Sequence, residues 1–122
     1  MDFLNNSIDD FLLNAKDKKL VIFGAFLEGE KALKTICEPN NIIPAYFVDN
    51  DFRKHYGCFW GYKIYEPSVL IAENKENTIV LIATQTPFRI KDQIERMGVI
   101  HYYSSLLFIE PVINKRQILI TF

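Results

Sequence analysis

Three short segments of this chain carry residues of the types that bind small molecules: Gly24-Ala25-Phe26-Leu27-Glu28-Gly29, Asp49-Asn50-Asp51 and Ala83-Thr84-Gln85-Thr86-Pro87. In the first, Gly24 permits a tight turn and Gly29 lets a following helix approach closely. Between a strand and a helix, such a turn offers backbone N–H groups to a phosphate. The residue that would face that phosphate is Phe26 where a glycine is usual, and Glu28 and Glu30 add carboxylates to the first helical turn. Those carboxylates complement the helix dipole and repel a phosphate. Two readings stand: a nucleotide site built on Gly24, Ala25, Phe26 and Gly29, or a strand-to-helix turn and nothing more.

Asp49 lies 25 residues after Gly24. At the end of a second strand its carboxylate can accept hydrogen bonds from ribose hydroxyls, which suits NAD or a nucleoside diphosphate sugar. The alternative is an Asx-rich turn formed by Asp49, Asn50 and Asp51. Ala83 and Thr84 leave space and supply a hydroxyl beside a ligand, although Thr84 or Thr86 would equally serve as a helix cap. His55, in Arg53-Lys54-His55-Tyr56, has the intrinsic pKa for acid–base work. A single histidine among basic residues reads more simply as a solvated surface group. No tyrosine is followed by lysine four positions on, and no Ser/His/Asp or Cys/His set is recognisable. Catalytic residues therefore stay unassigned, and the sequence leaves open whether the chain is an enzyme.

The elements that must position these segments follow from hydrophobic pattern. Ile8, Phe11, Leu12 and Ala15 form one helical face, with Ser7 and Asp10 as a capping pair. Leu20-Val21-Ile22-Phe23 is apolar without alternation, as a strand covered on both faces requires. A helix is expected from Glu28 to Cys37, stopped by Glu38-Pro39-Asn40-Asn41, then a strand from Ile43 to Val48. Residues 52–61 read as a long loop, Tyr62–Tyr65 as a short strand, and Pro67 as the start of a short helix to Glu73. Thr78–Ala83 is a β-branched buried strand. Ile90, Ile94 and Met97 mark a helix that Gly98 closes, and Val99–Tyr103 reads as a last strand. Alternating strands and helices predict an α/β fold with three layers: a Rossmann-like open, mostly parallel sheet of about five strands, helices on both faces. In such a sheet ligands sit beyond the carboxyl ends of the strands, where the three segments fall.

The chain's 122 residues suit one domain. Its expected organisation is a helix in 1–17 packed on the domain, the nucleotide-binding domain in 18–109, and a tail in 110–122 forming a strand or hairpin. The apolar stretch Ile118–Phe122 suggests pairing with a neighbour, hence a homodimer. With 14 basic and 15 acidic residues, net charge is −1, so no nucleic-acid partner is expected. Apolar runs are too short for a membrane span, and no signal sequence is recognisable. Cys37 and Cys58, 21 residues apart, and His55 and His101, 46 apart, form no ligand cluster. No metal is expected, and both thiols read as reduced in a cytoplasmic protein.

The succession Val21-Ile22-Phe23-Gly24-Ala25 … Gly29, Phe47-Val48-Asp49-Asn50-Asp51, Gly57 … Gly61-Tyr62-Lys63-Ile64 … Pro67 and Ile79-Val80-Leu81-Ile82-Ala83-Thr84 resembles one recurrent domain. It is similar to the Rossmann-like N-terminal domains of bacterial polysaccharide-biosynthesis proteins. These include nucleotide-sugar dehydratases and epimerases, sugar acetyltransferases of the pilin-glycosylation type and some sugar methyltransferases. The resemblance spans about residues 18–109. It implies a nucleotide or nucleotide-sugar ligand held by Gly24, Ala25, Gly29 and Asp49, with a partner enzyme or a separate catalytic domain supplying the chemistry. It also implies, as an alternative, an NAD(P)-dependent oxidoreductase or dehydratase of nucleotide sugars, while Phe26, Glu28 and the apolar tail suggest a third reading, an interaction module that has lost its ligand.

Overall fold

The structure is a computed structural model and describes Phe3 and residues 6–108. Expectations about the tail in 110–122, including pairing through Ile118–Phe122, lie outside the described residues.

Helix α1 (Ile8–Ala15) opens as its sequence requires, with Ser7 Oγ accepting from the Asp10 N–H at 3.2 Å. The next elements are β1 (Lys19–Phe23), α2 (Leu27–Ala32), β2 (Tyr46–Val48), β3 (Cys58–Phe59) and β4 (Tyr62–Tyr65). They are followed by β5 (Thr78–Ile82), α3 (Pro87–Arg96) and β6 (Tyr102–Ser104). Among the described residues six strands lie in the order β3-β4-β2-β1-β5-β6, and only the β3–β4 pair is antiparallel. From β1 the chain winds outward through β2 to β4, then returns across β1 to β5 and β6. The direction of winding thus reverses at β1, which puts a crevice at the carboxyl ends of β1 and β5.

Residues of β1 alternate between two cores, which is why the strand is apolar throughout. Leu20 and Ile22 join Phe11, Ala15, Ala32, Leu33 and Ile36 from α1 and the α2 segment. Val21 and Phe23 join Leu70, Ile90 and Ile94 on the opposite face. Burying each such side chain contributes about 1.5–3 kcal/mol. Tyr103 on β6 ties α1 down by donating its hydroxyl to Asp10, while Asn14 Nδ2 donates to the Tyr103 oxygen.

The expected open, mostly parallel sheet is present, with six strands among the described residues. Four other sequence expectations are corrected in detail. The stretch 52–61 is not a plain loop: Phe52–Lys54 forms a 3-10 turn and Cys58–Phe59 forms β3. The hairpin turn between β3 and β4 places both Trp60 and Gly61 at positive φ, +51° and +86°, a shape that matches the twist of the flanking strands. β2 starts at Tyr46 and not Ile43, because Pro44 has no N–H for the ladder. The α2 segment widens to a π-helical turn over Leu33–Cys37 and continues as 3-10 through Asn40. Pro39 lacks the N–H that would continue regular bonding, and Asn41 at φ +57° ends the run. β6 similarly begins at Tyr102, since the Val99 N–H still bonds to the Ile94 carbonyl at 3.1 Å.

Among the described residues β6 is an edge strand, and its outward side is closed by a side chain. Asn6 Nδ2 donates to the Ser104 carbonyl at 2.9 Å, and the Ser104 N–H donates to Asn6 Oδ1 at 2.7 Å. One carboxamide thus satisfies both groups that a further strand would pair.

Candidate functional site

β1 ends at Gly24, whose N–H donates to the Val48 carbonyl at 2.8 Å while the Ala83 N–H donates to Phe23 at 2.8 Å. At φ +121° a side chain would be strained, and a Cβ there would sit 2.2 Å from the Ala83 carbonyl oxygen. A Cβ on Gly29 would fall 2.0 Å from the Gly24 oxygen. Both glycines are therefore demanded by backbone contact, one at the turn and one where α2 lies on it. Phe26, between them, projects outward and is 65% exposed.

Asp49 leaves β2 and turns its carboxylate back onto this glycine turn. Oδ2 accepts from the Ala25 N–H at 2.8 Å, and Oδ1 accepts from the Asp51 N–H at 2.8 Å. The aspartate thus clamps the turn and also shapes the Asx turn, so the two sequence readings are joined in one residue. Lys54 completes the clamp: its Nζ donates to the Ala25 carbonyl at 2.8 Å and stands 3.8 Å from Asp49 Oδ2. The same ammonium lies 4.9 Å from the centre of the Phe26 ring, within cation–π range.

Between these elements a cleft of about 270 Å³ opens, lined by Gly24, Phe26, Leu27, Glu28, Asp49, Ala83, Thr84 and Gln85. Five of the expected site residues meet there: Gly24, Phe26, Asp49, Ala83 and Thr84. Ala25 and Gly29 are buried beneath the turn. Asn50 points elsewhere, locked in a reciprocal amide pair with Gln93 at 2.9 and 2.8 Å. Across the cleft mouth Gln85 Nε2 donates to Glu28 Oε1 at 2.9 Å. Sequence reasoning missed Lys54 and Gln85; the 3-10 turn that brings Lys54 over the site has no periodicity to announce it.

Two further expectations change. Neither threonine makes a side-chain cap on α3; Thr84 Oγ1 instead accepts from the Thr86 N–H at 3.3 Å in a local turn. His55 is not a free surface group. Its Nε2 sits 2.7 Å from the Asp49 carbonyl, and because a carbonyl only accepts, Nε2 carries the proton. Asp51, beside it, is bound by Arg53 at 2.9 and 3.0 Å, and that side-chain hydrogen bonding lowers its carboxyl to about 2. Among the described residues no group of three or more His, Cys, Asp or Glu is placed to hold a metal ion, and no helix is long and apolar enough to cross a membrane.

The winding reversal at β1, the Gly24 turn and the cleft beyond β1 and β5 define a Rossmann-like α/β domain with an open site at its switch point. No protein-family model matches the chain, and no curated protein does. Among solved structures, it is similar to the UDP-D-quinovosamine 4-dehydrogenase of Vibrio fischeri, with a TM-score of 0.59 and 23% identity over 82% of this chain and 86% of that one. That likeness establishes the fold.

Proposed function

We propose that this chain is a nucleotide-binding module that takes the nucleoside end of a nucleotide sugar in the cleft beside Phe26. The observation that carries this reading is the convergence of three separate segments on one hollow at the switch point. At about 270 Å³ the cleft falls just under the roughly 300–1,000 Å³ of small-molecule sites. It encloses one nucleoside and leaves the remainder of a larger ligand outside. Phe26 offers an exposed ring on which a base stacks, and the Lys54 ammonium lies over one face of that ring. Each Asp49 oxygen has spent one lone pair on a backbone N–H and retains capacity for a ribose hydroxyl. The Thr84 hydroxyl proton supplies a donor on the opposite wall.

The similar dehydrogenase is named for a UDP-sugar, which supports uridine nucleotides as the first ligands to try. In this reading the module serves a bacterial sugar-modification system in the cytoplasm, and a partner protein or another domain performs the chemistry. Glu28 and Asp49 are the titratable residues of the cleft lining, and both are already hydrogen-bonded. No catalytic role is assigned to them.

A second reading, an NAD(P)-dependent enzyme of nucleotide sugars, is favoured by Gly24, Gly29 and Asp49, which stand where a dinucleotide turn and its ribose acid stand. Phe26 at the middle position and Glu28 beside it weigh against a pyrophosphate on that turn. Isothermal titration and thermal shift with uridine, UDP, UDP-sugars, NAD⁺ and NADP⁺ separate the two. A ligand at 100 times its dissociation constant adds about 2.7 kcal/mol of stability. Binding of uridine compounds that Phe26→Ala weakens, with no loss of stability in the ligand-free variant, supports the nucleotide-sugar module. Selective binding of NAD⁺ or NADP⁺ supports the second reading. Silence at millimolar concentration of every compound refutes both and leaves an interaction module without a ligand.

A further inference from the structure

We infer that the diphosphate of the ligand is held on the outer face of α3, between Arg89 and Arg96, and not on the glycine turn. This inference rests on the nucleotide reading above. The turn is poorly suited to anions for reasons visible in the site: Phe26 stands in place of the usual middle glycine, Glu28 lines the cleft, and Glu30 adds a second carboxylate to the first turn of α2. The cations of the 3-10 turn beside the cleft are engaged. Lys54 is bound by Ala25 and Asp49, and Arg53 by Asp51.

A different set of donors stands beside the cleft. Asp49 lines the nucleoside hollow, and the next residue, Asn50, lines a larger open groove of about 670 Å³ with Arg89, Asp92, Gln93 and Arg96. Arg89, Gln93 and Arg96 are four and three residues apart, so they form one stripe along α3. The two arginines are separated by seven residues, about 10 Å of helix rise, which long side chains can span to grip one diphosphate from both ends. Among the described residues neither guanidinium has an ion pair or hydrogen-bond partner, and both are exposed. The one carboxylate in the groove, Asp92, is paired with Lys91 at 3.3 Å. Gln93 and Asn50, joined by two amide hydrogen bonds, fix the loop after β2 against α3 and hold the groove next to the cleft. A ligand running from Phe26 past Asp49 therefore comes to a groove whose two arginines on α3 are unengaged.

The test compares matched pairs, uridine with UDP and adenosine with ADP, titrated into the full chain, its Arg89→Ala/Arg96→Ala variant and Glu28→Gln. Both arginines are exposed, so melting temperature should match the wild type. The expected result is that the diphosphate binds at least tenfold tighter than its nucleoside in the wild type. The double variant loses that advantage while its nucleoside affinity stays within twofold. A diphosphate advantage that survives in the double variant and grows in Glu28→Gln returns the phosphates to the glycine turn and overturns the inference alone. Nucleoside binding without any diphosphate advantage also overturns it alone. Binding of neither member of either pair overturns the nucleotide reading together with it.

Discussion

Replacing Asp49 with alanine should destabilise the ligand-free protein by about 3 kcal/mol. Two hydrogen bonds to a carboxylate are lost, from the N–H groups of Ala25 and Asp51, each at 2.8 Å. Hydrogen bonds to charged groups contribute about 1.5–3 kcal/mol each, and the lower figure suits a site reached by solvent. The contact with Lys54 at 3.8 Å adds little, as a partly exposed ion pair does. For a chain of this size each kcal/mol corresponds to about 4 °C of melting temperature, so a fall of about 12 °C is expected. Urea denaturation followed by circular dichroism provides the measure: the midpoint should drop with an unchanged slope. Asp49→Asn should lose about half as much, because its amide keeps one acceptor. A wild-type midpoint in Asp49→Ala would refute the reasoning, for the carboxylate would then be idle in the folded chain and committed wholly to ligand.

Other substitutions test the frame around the cleft. Gly29→Ala, whose Cβ would meet the Gly24 oxygen at 2.0 Å, should cost more than about 3 kcal/mol. Gly61→Ala, at φ +86° in open space, should cost only about 1 kcal/mol of backbone strain; equal losses in paired denaturation curves would refute the contrast. Asn6→Ala leaves the Ser104 N–H and carbonyl unpaired at a buried edge and should cost about 2–4 kcal/mol, with faster hydrogen exchange at Ser104. Ser104→Ala should be neutral or stabilising by about 1 kcal/mol, since the buried Ser104 Oγ has no partner among the described residues. Burial pushes the Cys37 thiol up to about 12 while Cys58 is exposed, so a thiol reagent at pH 8 should label one cysteine in the native protein and two after unfolding. Burial, then the Asp10 hydrogen bond, raises the Tyr103 phenol from 10.0 to about 12. Its contribution is complete below pH 10 and should be lost as pH rises towards 12, more steeply in wild type than in Tyr103→Phe.

The layer arrangement was readable because β1 and β5 have no polar face, which only a doubly covered strand tolerates. Gly24 and Gly29 were readable for a related reason: a strand, a tight turn and a helix in close contact leave few other residues possible. Asp49 was located but half understood. Its type and position suggest ribose, yet its partners are backbone N–H groups that no side-chain pattern encodes. Lys54 and Gln85 escaped because their roles are set by where a 3-10 turn and a short loop carry them, and His55 was noticed without its bond to the Asp49 carbonyl. β3 escaped because two residues are too few to show alternation. Nothing in Asn5-Asn6-Ser7 announces that one amide there will pair with a residue 98 positions away.

That pairing has a consequence for how the polypeptide could be rewired. Phe3 stacks edge-on with Tyr102 at 5.7 Å, and Asn6 grips Ser104, so the first and last of the described elements meet on the same strand. The cleft belongs to β1 and β5, and the hairpin turn at Trp60 and Gly61 lies at the far edge of the sheet. A circular permutant opened between Trp60 and Gly61, with a linker joining the chain ends, would keep every strand neighbour and every cleft residue among the described residues. The order in which the ribbon visits its strands is thus separable from the shape of the site.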